Sequence, residues 1–155
     1  MCGDLVICMS GHTGNEVRAI RLDSCGDVTD STQQVVWQTH DHAPYVPSPL
    51  VYGQQLYLTK ANSAILKILN PGTGETLLDS AHLPELKSLY ASPVGAAGRV
   101  YITGREGVTL VLKNQPALEV LAVNKLSEGI DASPAIVGRE LFLRGHQHLY
   151  KIAAD

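Results

Sequence analysis

Three Ser-Pro dipeptides, at Ser48, Ser92 and Ser133, stand 44 and 41 residues apart and constrain what this chain can fold into. Each opens the same succession. An apolar residue or two leads to a glycine, and then to Gln55-Leu56-Tyr57-Leu58-Thr59, Arg99-Val100-Tyr101-Ile102-Thr103 or Glu140-Leu141-Phe142-Leu143-Arg144. Asp4-Leu5-Val6-Ile7-Cys8 fits the same column upstream. Within the best-formed unit, residues 48–80, four short runs (SPLVY, QLYLTK, AILKIL and ETLLDS) are separated by turn signals. Asn70-Pro71-Gly72-Thr73-Gly74 supplies both a fixed φ and positions that tolerate φ > 0, as a tight turn requires.

A repeat of about 40–50 residues containing four strands is the pattern of propeller blades. A helical repeat of that length is excluded because the runs are short and rich in β-branched and aromatic residues, with Gly or Pro about every 8–12 positions. Only PELKSLY, residues 84–90, could make a helical turn. The expected fold is all-β: a segment of about 3.5–4 four-stranded antiparallel blades forming one unit over residues 1–155. Its blades are expected near 1–40 (incomplete, lacking an inner strand), 48–81, 92–124 and 133–155 (incomplete, lacking an outer strand). In the first, residues 4–9, 16–22 and 35–39 read as strands, and the polar stretch 23–34 as an inserted surface loop.

Composition narrows the function classes. Apolar residues make up 45% and charged ones 17%, a globular balance. A net charge of −3 without a Lys/Arg run argues against a nucleic-acid surface or a polybasic membrane patch. No window reaches the ~18–20 apolar residues of a spanning helix. MCGDLVICMSGH has no basic leader region, so the sequence carries no signal-peptide pattern and is expected to be soluble and unexported. Cys2, Cys8 and Cys25 lack a metal or disulfide spacing and read as small hydrophobes.

The three Ser-Pro openings and the run from Asn70 to Leu78 resemble the pyrroloquinoline-quinone-type repeat. That repeat builds the propellers of quinoprotein dehydrogenases and of an outer-membrane-assembly lipoprotein, besides many that hold no cofactor. The family usually has Asp where Asn70 stands and often Trp where Leu78 stands. Trp37 keeps that aromatic in the first unit, and Leu121 or Ala122 replaces it in the third. Quinoprotein dehydrogenases carry adjacent cysteines, a calcium site of Glu, Asn and Asp, and a stacking Trp at the centre. This sequence has no Cys-Cys pair and Trp37 lies on an expected outer strand, so the expectation is a cofactor-free propeller. Relatives of this kind are often periplasmic or extracellular.

The Ser-Pro steps read as structural, with Pro where no ladder bond is needed and Ser bonding local backbone. In a propeller, linkers between blades share a face with the turns joining the two middle strands. This places His12, His40, His42, His82, His146 and His148 toward one side. His40-Asp41-His42 and His146-Gln147-His148 have a spacing that a transition metal could use, which makes His40, His42, His146 and His148 weak metal candidates; no metal site is expected. Arg105, Glu106, Asp131 and Arg144 fall in or beside the same loops, and Tyr45, Tyr90, Asp131 and Arg144 are the candidate ligand-lining residues. No GxSxG elbow, HExxH or P-loop occurs, and no catalytic residue is named. The expected function is a non-enzymatic scaffold for protein or peptide binding or assembly. Half a propeller exposes apolar faces and strand edges, so its expected partner is itself, as a homodimer closing a ring, or the missing half of a longer chain. The alternative is the C-terminal part of a larger quinoprotein-like oxidoreductase or other enzyme propeller.

Overall fold

Runs of β-branched and aromatic side chains settle on a pleated surface when a neighbour covers each face. The computed structural model describes residues 3–11, 14–41 and 43–153, and among these it contains strands, turns and no helix. Four sheets follow one another along the chain. The first holds β1 (Leu5–Ser10), β2 (Glu16–Arg21) and β3 (Val35–Thr39). The second holds β4 (Leu50–Tyr52), β5 (Gln55–Lys60), β6 (Ile65–Leu69) and β7 (Thr76–His82). The third holds β8 (Val94–Ala96), β9 (Arg99–Thr103), β10 (Val108–Lys113) and β11 (Val120–Lys125), and the fourth β12 (Ala135–Val137), β13 (Glu140–Arg144) and β14 (Leu149–Ala153). Every sheet is antiparallel in sequence order, and the short strands β4, β8 and β12 lie beside one another. The chain is therefore a propeller segment of two full blades flanked by two of three strands. Residues 84–90 run as turns and bends between β7 and β8, with Glu85 at φ 63°, and form no helical turn.

A two-residue turn joins the first two strands of each full or final blade. Gly53 and Gly138 open it at φ 63° and 60°, while the third blade uses Ala97 and Gly98 at φ 48° and 71°. These are the left-handed conformations of primed hairpin turns. Gly3, at φ 54°, occupies the matching position before β1. This pairing corrects the expected alignment of the first unit by one residue. Ile7 faces Ala19 as Tyr57 faces Ile68, so Leu5 rather than Asp4 matches Gln55. A one-residue slip exchanges the two faces of a strand, which is why the apolar pattern alone misplaced it.

Each junction buries the facing sides of two neighbouring blades. Between the first two blades lie Ile7, Met9, Val17 and Trp37 on one side and Val51, Leu56, Leu58 and Leu69 on the other. Between the second and third, Tyr57, Leu66 and Ile68 meet Val100, Ile102, Leu110 and Leu112, all at most 1% exposed. At ~25 cal/mol per Å² of apolar surface, such faces supply most of the favourable free energy of a fold of this kind. Lys67 points from β6 into the first junction. It is 5% exposed, with its Nζ 2.8 Å from Asp41 and 3.3 Å from Asp79, so the buried charge is compensated from both blades.

Polar bonds repeat with the blades. The Ser92 hydroxyl accepts from the Ser48 amide, and the Ser133 hydroxyl from the Ser92 amide, both at 2.9 Å. The serines thus bond the preceding unit's backbone across 44 and 41 residues, not their own neighbourhood as expected from sequence. They fix the inner strands in register around the axis.

Trp37 docks the first blade onto the second. Its Nε1 donates to the Pro71 carbonyl at 2.9 Å, and its ring lies over Gly74, which has φ 74°. A methyl group at Gly74 would come within 2.7 Å of the ring. Gly74→Ala is expected to destabilise the chain by about 1–3 kcal/mol through overpacking and a strained φ. Because a chain of this size loses about 2–4 °C per kcal/mol, thermal unfolding by circular dichroism will show a drop of several degrees. Combining it with Trp37→Leu will cost less than the sum of the two single changes, because the clash goes with the indole.

Candidate functional site

Linkers leaving one blade for the next are held between turns of both. Leu89 N donates to Ala61 O of the second blade at 2.7 Å, and Arg105 N of the third blade donates to Ser88 O at 3.0 Å. One repeat later Ile130 N donates to Arg105 O at 3.4 Å and His146 N to Gly129 O at 3.0 Å. This backbone stitching brings linker and middle-strand turns to one face and sets a row of side chains along it.

The row runs Tyr90, Arg105, Asp131, His146. Arg105 Cζ sits 4.0 Å from the centroid of the Tyr90 ring, and its Nε donates to Asp131 Oδ1 at 2.6 Å. Asp131 Oδ2 lies 3.2 Å from His146 Nε2. Tyr90 and Asp131 come from successive linkers, Arg105 and His146 from successive middle turns, so each repeat gives one member of each kind. A guanidinium stacked on an aromatic face and paired with a carboxylate is held in one orientation. Their shared hydrogen bond is the largest cause that raises the pKa of Arg105 and lowers that of Asp131. Burial of the carboxyl works against the latter, and His146 adds to it.

A second cluster lies beside it. Glu128, in the linker between the third and fourth blades, accepts from the Tyr150 hydroxyl at 2.6 Å and the Gln147 amide at 2.5 Å, with His148 Nδ1 at 2.9 Å. Its side chain is 11% exposed. The Tyr150 hydrogen bond is the largest cause of a Glu128 pKa near 2, opposed by desolvation and aided by the Gln147 amide and His148. Gly145 and Gly129 face Glu128 and His146 where a side chain would collide, so the turn and the linker fit each other closely.

Of the residues named from sequence, Tyr90, Arg105, Asp131 and His146 make up this row and His148 falls in the adjoining cluster. The two rings of the His146–His148 pair lie in a turn and engage different carboxylates, Asp131 and Glu128. Tyr45, 56% exposed, belongs to the first linker, and His40 is exposed just after β3. His42 and His12 lie outside the described residues. Arg144 ends β13 and is exposed on the open side of the fourth blade, in the register position of Thr59 and Thr103. Among the described residues no three His, Cys, Asp or Glu side chains converge as metal ligands do. Sequence reasoning missed Glu128 and Lys67. Lys67 carried a signal, a lone cation in an apolar strand, whereas Glu128 looked like any loop acid.

No protein-family model matches this chain, and no curated protein matches it. Solved structures do. The chain is similar to BamB from Moraxella catarrhalis, with TM-score 0.74 and 15% identity over 97% of this chain and 43% of that one. It is also similar to two computationally designed proteins. Ika4 matches at TM-score 0.71 and 9% identity over 98% of this chain and 86% of the design. Ika8 matches at 0.71 and 10% over 97% of this chain and 43% of the design. At such identities the likeness is one of fold, and it defines an all-β propeller segment. The chain spans less than half the length of BamB.

Acid stability follows from Glu128. A carboxyl whose pKa falls on folding gives stability that is complete above its ordinary value of 4.5 and lost as pH drops through about 2. Melting temperatures measured from pH 6 downward are expected to fall over that window. Glu128→Gln will show a shallower decline there than the unaltered chain, and amide exchange in β13 and β14 will locate the difference.

Proposed function

We propose that this chain is a non-enzymatic propeller scaffold that completes its ring by associating with a second copy of itself. The observation that carries the reading is the pair of unlike end faces. On the fourth blade, the face that in the second blade buries Leu50, Tyr57, Leu66 and Ile68 presents Val137 at 64% exposure and Leu149 at 71%. Arg144, Glu140 and Lys151 share this face, with Lys151 paired to Glu140 at 2.6 Å. Isolated exposed apolar residues are ordinary, but several on a face that every other blade buries mark an interface.

The opposite end is chemically complementary. The first blade turns Val6, Cys8, Arg18 and Ile20 outward, and the loop at 22–34 lies against them, with Arg18 Nη1 donating to Thr29 O at 2.8 Å. Asp23, Asp27 and Asp30 in this loop are exposed. A partly apolar face that carries Arg144, opposite an edge that carries Asp23, Asp27 and Asp30, favours head-to-tail contact, and two such contacts related by a two-fold axis close a ring. Lengths agree with this, since the chain covers 43% of BamB and 43% of Ika8. The row at Tyr90, Arg105, Asp131 and His146 then faces the same side of the assembly from both copies, where a scaffold would present loops to a protein or peptide.

Light scattering coupled to size exclusion is expected to give about twice the 16.6 kDa chain mass. Leu149→Asp, at a side chain 71% exposed, is expected to shift the mass to the monomer while leaving the β-sheet circular dichroism unchanged. A monodisperse monomer of the unaltered chain at micromolar concentration overturns the reading.

A further inference from the structure

On the face that carries the linkers and middle turns, carboxylates and cations point different ways. Asp41 meets Lys67, and Asp131 meets Arg105 and His146. Glu128 is held by Tyr150, Gln147 and His148, and Glu106 has a buried Oε2 beside Gly104. Lys60 at the end of β5, Lys87 in the linker before β8 and Lys125 at the end of β11 are exposed instead. No ion pair among the described residues engages these three lysines. The outer layer of this face is therefore basic, although the chain as a whole carries a net charge of −3. Exposed apolar side chains adjoin the lysines: Tyr45 and Val46 of the first linker and Tyr90 of the second. The bond between the Ser48 amide and the Ser92 hydroxyl sets these two linkers side by side. The bond from Leu89 N to Ala61 O places the end of β5, with Lys60, beside the Tyr90 linker.

From this we infer that the linker face binds an extended acidic peptide carrying an apolar anchor. The anchor lies on Tyr45, Val46 and Tyr90, and carboxylates flanking it reach Lys60 and Lys87. Aromatic surface gives contact area at low entropic cost, and the unpaired lysines steer and orient the charged flanks. Arg105 is engaged by Asp131 already, and its stacking holds the Tyr90 ring in place. A polyanion charged at every step, whether nucleic acid or anionic bilayer, fits less well, because Glu85, Asp41 and Asp131 lie on the same face. A peptide places its acids only where the lysines are. The inference rests on the scaffold reading and deepens it by naming the partner, while every residue of the site belongs to one copy.

The probe is a fluorescein-labelled, end-blocked peptide with a tryptophan between two pairs of glutamates. Fluorescence anisotropy with the full chain is expected to show saturable micromolar binding that weakens as salt rises. Lys60→Glu combined with Lys87→Glu is expected to weaken it about tenfold, as reversal of two exposed ion pairs would. Lys60→Gln with Lys87→Gln, which only removes the charges, is expected to act in the same direction. Arg99→Glu with Arg139→Glu makes the same change of net charge at exposed positions on the opposite face, and is expected to leave binding unaltered. Tyr45→Ser is expected to weaken binding severalfold, and circular dichroism melts verify that each variant is folded. Saturation absent up to millimolar chain, or an equal loss from the Arg99 and Arg139 reversal, overturns the inference. So does equal binding of a peptide with glutamine for glutamate or serine for tryptophan, or tighter binding of single-stranded DNA or of phosphatidylserine vesicles. Light scattering on the same samples reads ring closure separately. A monomer that binds the peptide overturns the ring alone, and a dimer that does not bind it overturns this inference alone.

Discussion

A propeller blade has no face that can be left in water, and the rest of this structure depends on that constraint. In an ordinary two-layer sheet protein one face meets the core and the other the solvent, so apolar and polar residues alternate. Here β6 carries Leu66 and Ile68 toward one neighbour and Lys67 and Leu69 toward the other, and all four are buried. The strand is therefore apolar almost throughout, and its single cation must find carboxylates at the junction. Asp41 and Asp79 meet that need from two different blades. Docking of blades and satisfaction of the buried charge are one event.

Apolar burial is non-directional and would let blades slide, so register has to come from elsewhere. The serine hydroxyls and the linker amides give it. Ser92 and Ser133 each reach back one repeat, and the linkers before the third and fourth blades are each bonded to the turn before and the turn after. A net contribution of about 1 kcal/mol per bond is small beside the apolar term, but these bonds hold only at one offset. The same stitching lines Tyr90, Arg105, Asp131 and His146 up on one face. Their order along the row is a consequence of blade register before it is a matter of function.

Much of this was legible in the sequence because it repeats. Period, strand number, the blade-docking place of Trp37 and the sharing of a face by linkers and middle turns all follow from aligning three units. What was not legible depends on single residues. The first unit has no Ser-Pro step to anchor it, and its alternation is compatible with two registers, so Ile7 and Leu5 were assigned to the wrong faces. Glu128 could not be distinguished from a solvated loop acid, since its partners Tyr150 and His148 lie 22 and 20 residues away. The serine bonds were missed for a related reason: a hydroxyl beside a proline usually serves nearby backbone, and only the curvature of the array brings the next unit closer.

The docking position holds Trp37 at the first junction, Leu78 at the second and Ala122 at the third. At the first junction the indole is matched by Gly74, a residue small enough to lie under it, and both would have to change together. At the second, Tyr57 adds a bond to Asn114 at 2.7 Å in the turn of the next blade, and burial raises its hydroxyl pKa to about 12. Tyr101 stands in the same place at the third junction. At that junction Ala122 fills less of the docking position, and a crevice of about 440 Å³ lies between Tyr101 and Val111 on one blade and Leu141 and Ile152 on the other.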